Sequence, residues 1–305
     1  MRAIRLRAPG EPEDLTLEEL ETPQLGTGEA LVRVHAAGIT KDELSWPDDR
    51  LPATPSYEVS GEIVAIAPDV NTVAIGDLVY ALTGFDRDGA AADYVSVPAE
   101  FLAAKPRSLD HVSSAAIPLA ALSAWQGLFD HGRLEEGQRV LILGAAGGVG
   151  HLATQLARGR GAYVIGMASA ASSGAAKDCG AHEVVDGSDA GRAGPLDPVD
   201  LVFDTVGGET LERSPASIRD GGRLVSVADK PPEIPEDRKI DATYFLVEPN
   251  RKQLVDLAHL ADSGDLRPAI DSVFPLAEAR SAFQRSMERG KRGKVVLRVV
   301  EETTA

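Results

Sequence analysis

Residues 137–156 read GQRVLILGAAGGVGHLATQL, and along them a strand, a turn and a helix start follow in that order. Arg139 to Leu143 (RVLIL) is short and almost wholly apolar, the pattern of a strand covered on both faces. It runs into GAAGGVG, residues 144–150, and a helical pattern begins at once. There Val149, Leu152, Ala153 and Leu156 fall at i, i+3, i+4 and i+7, so one stripe faces the sheet. Glycines suit such a turn mechanically, because a bound pyrophosphate must approach backbone N–H groups that a Cβ would obstruct, and the helix N-terminus adds partial positive charge. On the dinucleotide fingerprint the alignment is Ala145-x-Gly147-x-x-Gly150, with alanine in place of the first glycine. Ala146, Gly147, Gly148 and Val149 are then expected to meet the pyrophosphate through their backbone.

Downstream, short apolar segments alternate with helical ones. Tyr163 to Met167, Glu183 to Val185, Leu201 to Asp204 and Arg223 to Val227 are predicted as further parallel strands, which makes a doubly wound sheet with ligands beyond the strand C-terminal ends. Upstream the texture differs. Residues 1–112 carry short strands, among them ALVRVHA (30–36), GEIVAIA (61–67) and DLVYAL (77–82), with Gly and Pro turns between them, as in a barrel-like β fold. Ser113 to Phe129 is Ala- and Leu-rich helix. After the charged, Pro-rich connection KPPEIPEDRKI (230–240) come two predicted helices, Asn250 to Asp262 with Gly264 as C-cap, and Ala277 to Arg289 with Ala279, Phe283 and Met287 along one face. The tail strand Lys294 to Val300 is expected to rejoin the N-terminal domain. The predicted class is α/β: a β-rich domain over 1–112 and 249–305, and a nucleotide domain over 113–248 inserted between its parts.

The totals narrow the function classes. At 305 residues, with 43% hydrophobic and 26% charged content, the chain is an ordinary globular protein with room for two domains. A net charge of −16 with no basic cluster argues against nucleic acid or an anionic membrane as partner. The first residues carry charge throughout and lack an apolar signal core, and no apolar run is long enough to span a bilayer, so a cytoplasmic protein is expected. A single cysteine, Cys179, excludes an internal disulfide and Cys-rich zinc sites.

Taken in order, these segments resemble the medium-chain dehydrogenase/reductase superfamily, in its zinc-independent quinone oxidoreductase branch. The resemblance rests on PQLGTGEALVRVHAAG (23–38), YEVSG (57–61), GDLVY (76–80), LAALSAWQGL (119–128), the 144–150 turn, DTVGG (204–208), GGRLVSV (221–227) and GKVVL (293–297). It implies a GroES-like catalytic domain, a Rossmann domain, a cleft between them, NADPH, and reduction of quinones or of C=C bonds conjugated to a carbonyl. A homodimer acting on a small molecule is expected from the family.

Zinc relatives place a cysteine ligand after "AAGI", where this chain has Thr40, and a histidine just before a glutamate, where it has Tyr57 before Glu58. Their four-cysteine lobe is missing. A zinc site needs three or four converging N, S or O ligands, and the six histidines (His35, His111, His131, His151, His182, His259) stand in unrelated contexts and read as surface or capping residues. No metal is expected.

Coenzyme choice is read at the end of the second strand, where an NAD site puts an acid for the ribose 2′-hydroxyl. Here the run is MASAASS (167–173), with no acid before Asp178, so Ser169 and Ser172 are expected to meet a 2′-phosphate and NADPH is favoured over NADH. Against this, many relatives carry an arginine where this chain has Ala171, and Lys177 reads as a solvated lysine.

By resemblance Thr40 points toward the nicotinamide, and Tyr57 is either a hydrogen-bond donor or proton source for the substrate or a packed aromatic with a satisfied hydroxyl. Lys41 and Trp46 read as ordinary surface or packing residues, with the cleft mouth as the alternative. Ser123, Thr205, Val206, Gly207, Val227 and Ala228 match places where the family contacts the dinucleotide. Phe245 and Val247 are expected to wall the nicotinamide, and Lys294 is a weaker phosphate candidate. Hydride transfer to an enone needs positioning and donors for the developing oxyanion. Two other readings share the fold: a reductase dedicated to one biosynthetic intermediate, and a nucleotide-binding sensor without turnover.

Overall fold

A computed structural model describes residues 1–46, 49–187, 197–288 and 290–300. The strands are β1 (Arg2–Leu6), β2 (Leu15–Glu19), β3 (Glu29–Ile39), β4 (Glu58–Ile66), β5 (Leu78–Leu82), β6 (Tyr94–Pro98), β7 (Ala103–Ala104), β8 (Arg139–Leu143), β9 (Tyr163–Ala168), β10 (Glu183–Asp186), β11 (Val199–Asp204), β12 (Ile218–Ser226), β13 (Asp241–Tyr244), β14 (Ile270–Pro275) and β15 (Lys294–Arg298). The helices are α1 (His111–Ala115), α2 (Pro118–Trp125), α3 (Gly150–Gly159), α4 (Ser173–Asp178), α5 (Gly208–Arg213), α6 (Arg251–Ser263) and α7 (Ala279–Met287). Two compact units divide them: Met1–Leu119 with Glu248–Gly264 and Pro268–Ala305, and Ala120–Val247 with Asp265–Arg267.

The first unit is built on a sheet in the order β14-β15-β3-β4-β5-β7, with β6 also paired to β3 and a separate β1–β2 ribbon. β3 does most of the joining, since it pairs antiparallel with β15, β4 and β6. Its alternation buries Ala30, Val32 and Val34 in a core shared with Ile63, Val79, Val97, Phe283 and Leu297. The tail strand therefore does return to this unit, as β15 beside β3. α6 begins on Asn250, whose side chain accepts from the Gln253 N–H, and ends on Gly264 at φ 82°, the left-handed C-cap expected of it. In α7 the buried face is Ala279, Ala282, Phe283 and Ser286; Met287, placed on that face from the sequence, is 47% exposed because i+8 has rotated past the stripe.

His111 opens α1 and is buried, with Nδ1 2.8 Å from Ser60 Oγ and its ring 4.2 Å from that of His35. Burial, and then the neighbouring His35, push its pKa from the ordinary 6.5 down to about 3. A depressed histidine favours folding while neutral, so its contribution is present above pH 6.5 and is lost as pH falls toward about 3. His111→Gln is expected to flatten that acid limb by up to about one proton per molecule, read from denaturant unfolding across the pH series.

The second unit is a six-stranded, all-parallel sheet in the order β10-β9-β8-β11-β12-β13. In sequence terms this is 3-2-1-4-5-6, so the order reverses at β8, the strand that leads into the glycine turn. Leu141, Leu143, Ile165, Val202 and Leu224 form one side of its core. Among the described residues no helix is long and apolar enough to cross a membrane.

Candidate functional site

Parallel register brings the second unit's candidate residues to one edge. Leu143 pairs with Met167 and Asp204, Asp204 with Ser226, and Ser226 with Tyr244, so β8, β9, β11, β12 and β13 end side by side. From those ends rise the 144–150 turn, Ser169 and Ser172, Thr205 to Gly207, Val227 and Ala228, and Phe245 with Val247.

The turn after β8 works differently from the fingerprint alignment. Gly144, not position 145, takes the left-handed backbone, at φ 81°, and Ala145 is fully buried as packing. The Gly147 amide closes the turn on the Gly144 carbonyl at 2.8 Å, so that N–H is already engaged. At Gly150 a Cβ would lie 2.0 Å from the Gly144 oxygen, which only glycine permits. Of the stripe expected of α3, Leu152, Ala153 and Leu156 are buried, while Val149, at the N-cap, is half-buried. His151, read as surface or capping, is 1% exposed and places Nδ1 2.8 Å from the Gly147 carbonyl.

At the end of β9, Ser169 and Ser172 sit 2.8 Å apart, hydroxyl to hydroxyl, with the Ser172 N–H on the Ser169 carbonyl. Ser169 and Ala171 are exposed, and Lys177 lies in the last turn of α4. Beyond β11, the buried Asp204 carboxylate accepts from the Val206 and Gly207 N–H groups at 3.1 Å and from Ser226 Oγ at 2.7 Å. It locks the ends of β11 and β12 together, a role the sequence did not announce. Thr205 donates to the Leu143 carbonyl, and Phe245 is buried with its ring 4.4 Å from that of His131. Val247 is half-buried, and Ser123 is buried in α2. A glycine-rich turn closed to a Cβ at Gly150, the helix start there, and neighbouring hydroxyls with no carboxylate between Met167 and Ser173 fit a phosphorylated dinucleotide.

The first unit holds a second polar centre. β15, β3 and β4 lie side by side, so Lys294, Thr40 and Glu58 meet: Val295 pairs with Ile39, and Gly38 with Glu58. A Cβ on Gly38 would lie 3.0 Å from Glu58 Cδ and 2.5 Å from the Ala115 carbonyl, so glycine there makes room for the carboxylate. The Lys294 ammonium, 4% exposed, donates to Glu58 Oε1 and, at 3.2 Å, to Thr40 Oγ1. The phosphate role expected of Lys294 thus gives way to a buried ion pair within this unit.

Glu43 is also fully buried and accepts from the Ser56 N–H at 3.1 Å; Ser56 itself holds φ 69°. Burial drives the Glu43 carboxyl well above the usual range, against the opposing pull of Lys294. Burial likewise raises Glu58, again opposed by Lys294. Tyr57 is fully buried, 5.7 Å from the half-buried Trp46 ring and 5.3 Å from that of Phe85, with Arg50 Nη2 3.4 Å from its hydroxyl. Burial, then Glu43, push the phenol up to about 12, so it stays protonated at neutral pH. Among the described residues no three His, Cys, Asp or Glu side chains gather as metal ligands. Sequence reasoning missed Glu43, Glu58 as a partner of Lys294, and the burial of His111; their spacing along the chain carries no periodic signal.

Comparison with known proteins adds the following. Residues 26–107 match the family described as alcohol dehydrogenase GroES-like domain, and residues 179–297 that described as zinc-binding dehydrogenase. A protein of Arthroderma benhamiae named "Probable zinc-binding oxidoreductase, mitochondrial" is 33% identical over 94% of this chain and 93% of its own. The NADPH-dependent alkenal/one oxidoreductase, chloroplastic, of Arabidopsis thaliana is 28% identical over 90% of this chain and 73% of its own. Among solved structures, the quinone oxidoreductase from Coxiella burnetii superposes with a TM-score of 0.90 at 31% identity, covering 98% of this chain and 99% of that one.

Proposed function

The chain belongs to the medium-chain dehydrogenase/reductase superfamily and is quinone oxidoreductase-like, and from that premise we propose that it is an NADPH-dependent, metal-free reductase of quinones or of enones. The observation that carries the reading is the first unit's buried centre: at the positions where zinc relatives have cysteine and histidine stand Thr40 and Tyr57, and an ammonium already neutralises Glu58 there. "Zinc-binding" is said of the matched family and of the Arthroderma protein. In this chain the donor set is a hydroxyl, a high-pKa phenol and a carboxylate paired to lysine, which does not suit Zn²⁺.

When bound, the reduced nicotinamide supplies the hydride. The chain's own residues hold and orient. The N–H groups of Ala146, Gly148 and Val149 with the α3 start take the pyrophosphate, and Ser169 and Ser172 the 2′-phosphate. Ser123, Thr205, Val206, Gly207, Val227, Ala228, Phe245 and Val247 fix the rest of the dinucleotide. Thr40 donates to the acceptor oxygen as charge develops on it. Tyr57, protonated and packed between Trp46 and Phe85, shapes that site with its ring. The name of the Arabidopsis relative, NADPH-dependent alkenal/one oxidoreductase, supports both the coenzyme and the acceptor class. The protein is proposed to act as a cytoplasmic homodimer.

The test is NADPH oxidation by purified protein across a panel of quinones and enones, with calorimetry of NADPH and NADH and metal analysis alongside. Turnover without stoichiometric zinc is expected. Tight NADPH binding with no turnover on any acceptor turns the reading into a sensor, and stoichiometric zinc sinks the metal-free half. Coenzyme choice has its own variant. Ser169→Asp sets a carboxylate against the 2′-phosphate and is expected to weaken NADPH binding about 100-fold, about 2.7 kcal/mol, with NADH affinity unchanged or improved. Equal losses for both coenzymes count against the serine contact.

A further inference from the structure

One half-buried hydroxyl in the first unit backs onto a buried cation. Thr40 follows the last residue of β3, and the antiparallel pairing of Val295 with Ile39 sets Lys294 across from it. Thr40 Oγ1 accepts from the Lys294 ammonium at 3.2 Å, and its own proton hydrogen-bonds to the Glu58 carboxyl, from which the hydroxyl can rotate to another acceptor. Behind the ammonium stand two carboxyl groups against one positive charge: Glu58, whose Oε1 it contacts, and Glu43. Both carboxyls are fully buried, and the second oxygen of each has no hydrogen-bond partner. Buried polar atoms left this way in a native fold call for a role, and proton handling is one that such atoms serve.

We propose that Thr40 and Lys294 form a proton relay to the acceptor oxygen, with Glu58 and Glu43 holding the charge behind it. This rests on the preceding reading that Thr40 faces the acceptor. As hydride adds to the β-carbon of an enone, the C=C pair moves onto the carbonyl oxygen. The Thr40 O–H bond breaks toward that oxygen while Oγ1 takes a proton from Nζ, whose N–H pair stays on nitrogen. Lys294 becomes a neutral amine beside Glu58, the enol tautomerises to the ketone in solvent, and once the product has left the half-buried Thr40 hydroxyl takes a proton from solvent and passes its own back to Nζ. The alkene is reduced and the coenzyme oxidised; the relay itself exchanges only protons. Lys294 acts through Thr40 and is a positioning and proton-storing residue.

Thr40→Val keeps the branched shape and removes the hydroxyl, and Thr40→Ser keeps the hydroxyl. With NADPH and methyl vinyl ketone or the best enone of the panel, Thr40→Val is expected to lower kcat at least about 100-fold while Thr40→Ser stays within about threefold of wild type. NADPH affinity is expected to be unchanged in both. A solvent deuterium isotope effect on kcat is expected for wild type and Thr40→Ser. In the coenzyme-free protein, NMR of nitrogen-labelled lysine gives a second readout: the Lys294 signal should move in Thr40→Val and return in Thr40→Ser. A Thr40→Val enzyme within twofold of wild type overturns the relay, as does a loss matched by an equal loss of NADPH affinity. If wild type turns over no acceptor, the reductase reading itself falls. The NMR then decides whether Lys294 donates to Thr40, and an unmoved signal overturns the relay too.

Discussion

Lys294→Met is expected to destabilise the first unit by about 3–5 kcal/mol, the usual cost of leaving one partner of a buried ion pair alone. Glu58 is fully buried and Lys294 4% exposed, so neither charge has water to fall back on. The deficit should depend on pH in a defined sense. With the ammonium gone, the Glu58 carboxyl, already raised by burial, rises further. Below that value it is protonated in the folded state and the penalty shrinks; above it, folding must bury an unpaired carboxylate and the penalty is full. Denaturant unfolding of wild type and Lys294→Met from neutral to acid pH measures both the size and the slope. The double variant Lys294→Met, Glu58→Gln removes both charges and is expected to recover most of the loss. A single variant as stable as wild type at neutral pH, or a double variant no better than the single, contradicts the ion pair as described.

That pair shows where the sequence stops being legible. The strand, turn and helix of residues 137–156 could be read because their physics is local: an apolar run, a glycine turn and a 3.6-residue stripe each sit within one window. Even there the fingerprint alignment begins at Ala145, while the left-handed φ belongs to Gly144, the first residue of the 144–150 turn. Thr40 and Lys294 were singled out separately, but neither their pairing nor Glu58 as the third member was. Glu58 and Lys294 are 236 residues apart, and they meet only because β3 pairs with β4 on one side and β15 on the other. GKVVL offered its lysine as a weaker phosphate candidate, with core or surface packing as the alternative, since nothing in a five-residue window says whether the side chain is buried. His111 was misjudged for the same reason, its burial being set by Ser60 on β4 and His35 on β3. Met287 failed differently: the helical period was right, but the face was one residue off.

The polar centre and the glycine turn also impose different demands on the chain. The first requires side chains from three strands to agree in register. The second requires the absence of side chains, since α3 begins so close to the end of β8 that backbone meets backbone.

Gly150→Ala is accordingly expected to damage folding and coenzyme binding together. The added Cβ would lie 2.0 Å from the Gly144 oxygen, 2.7 Å from its carbonyl carbon and 3.0 Å from Ala145 Cα. All three are backbone atoms, so no side chain can swing aside; α3 must back away from the turn. Overpacking of this kind costs about 1–3 kcal/mol. A helix start displaced by about 1 Å is also expected to weaken NADPH binding at least about tenfold, or about 1.4 kcal/mol. Gly159→Ala, at the other end of the same helix, is the control: a Cβ there meets nothing within 4 Å. In a helical position that change is expected to stabilise by about 0.5–1 kcal/mol and to leave NADPH affinity alone. Melting curves and NADPH titrations of the two variants separate the general effect of losing a helix glycine from the specific effect of closing this turn. If Gly150→Ala binds NADPH as wild type does, the 144–150 turn is not where the coenzyme's phosphates rest.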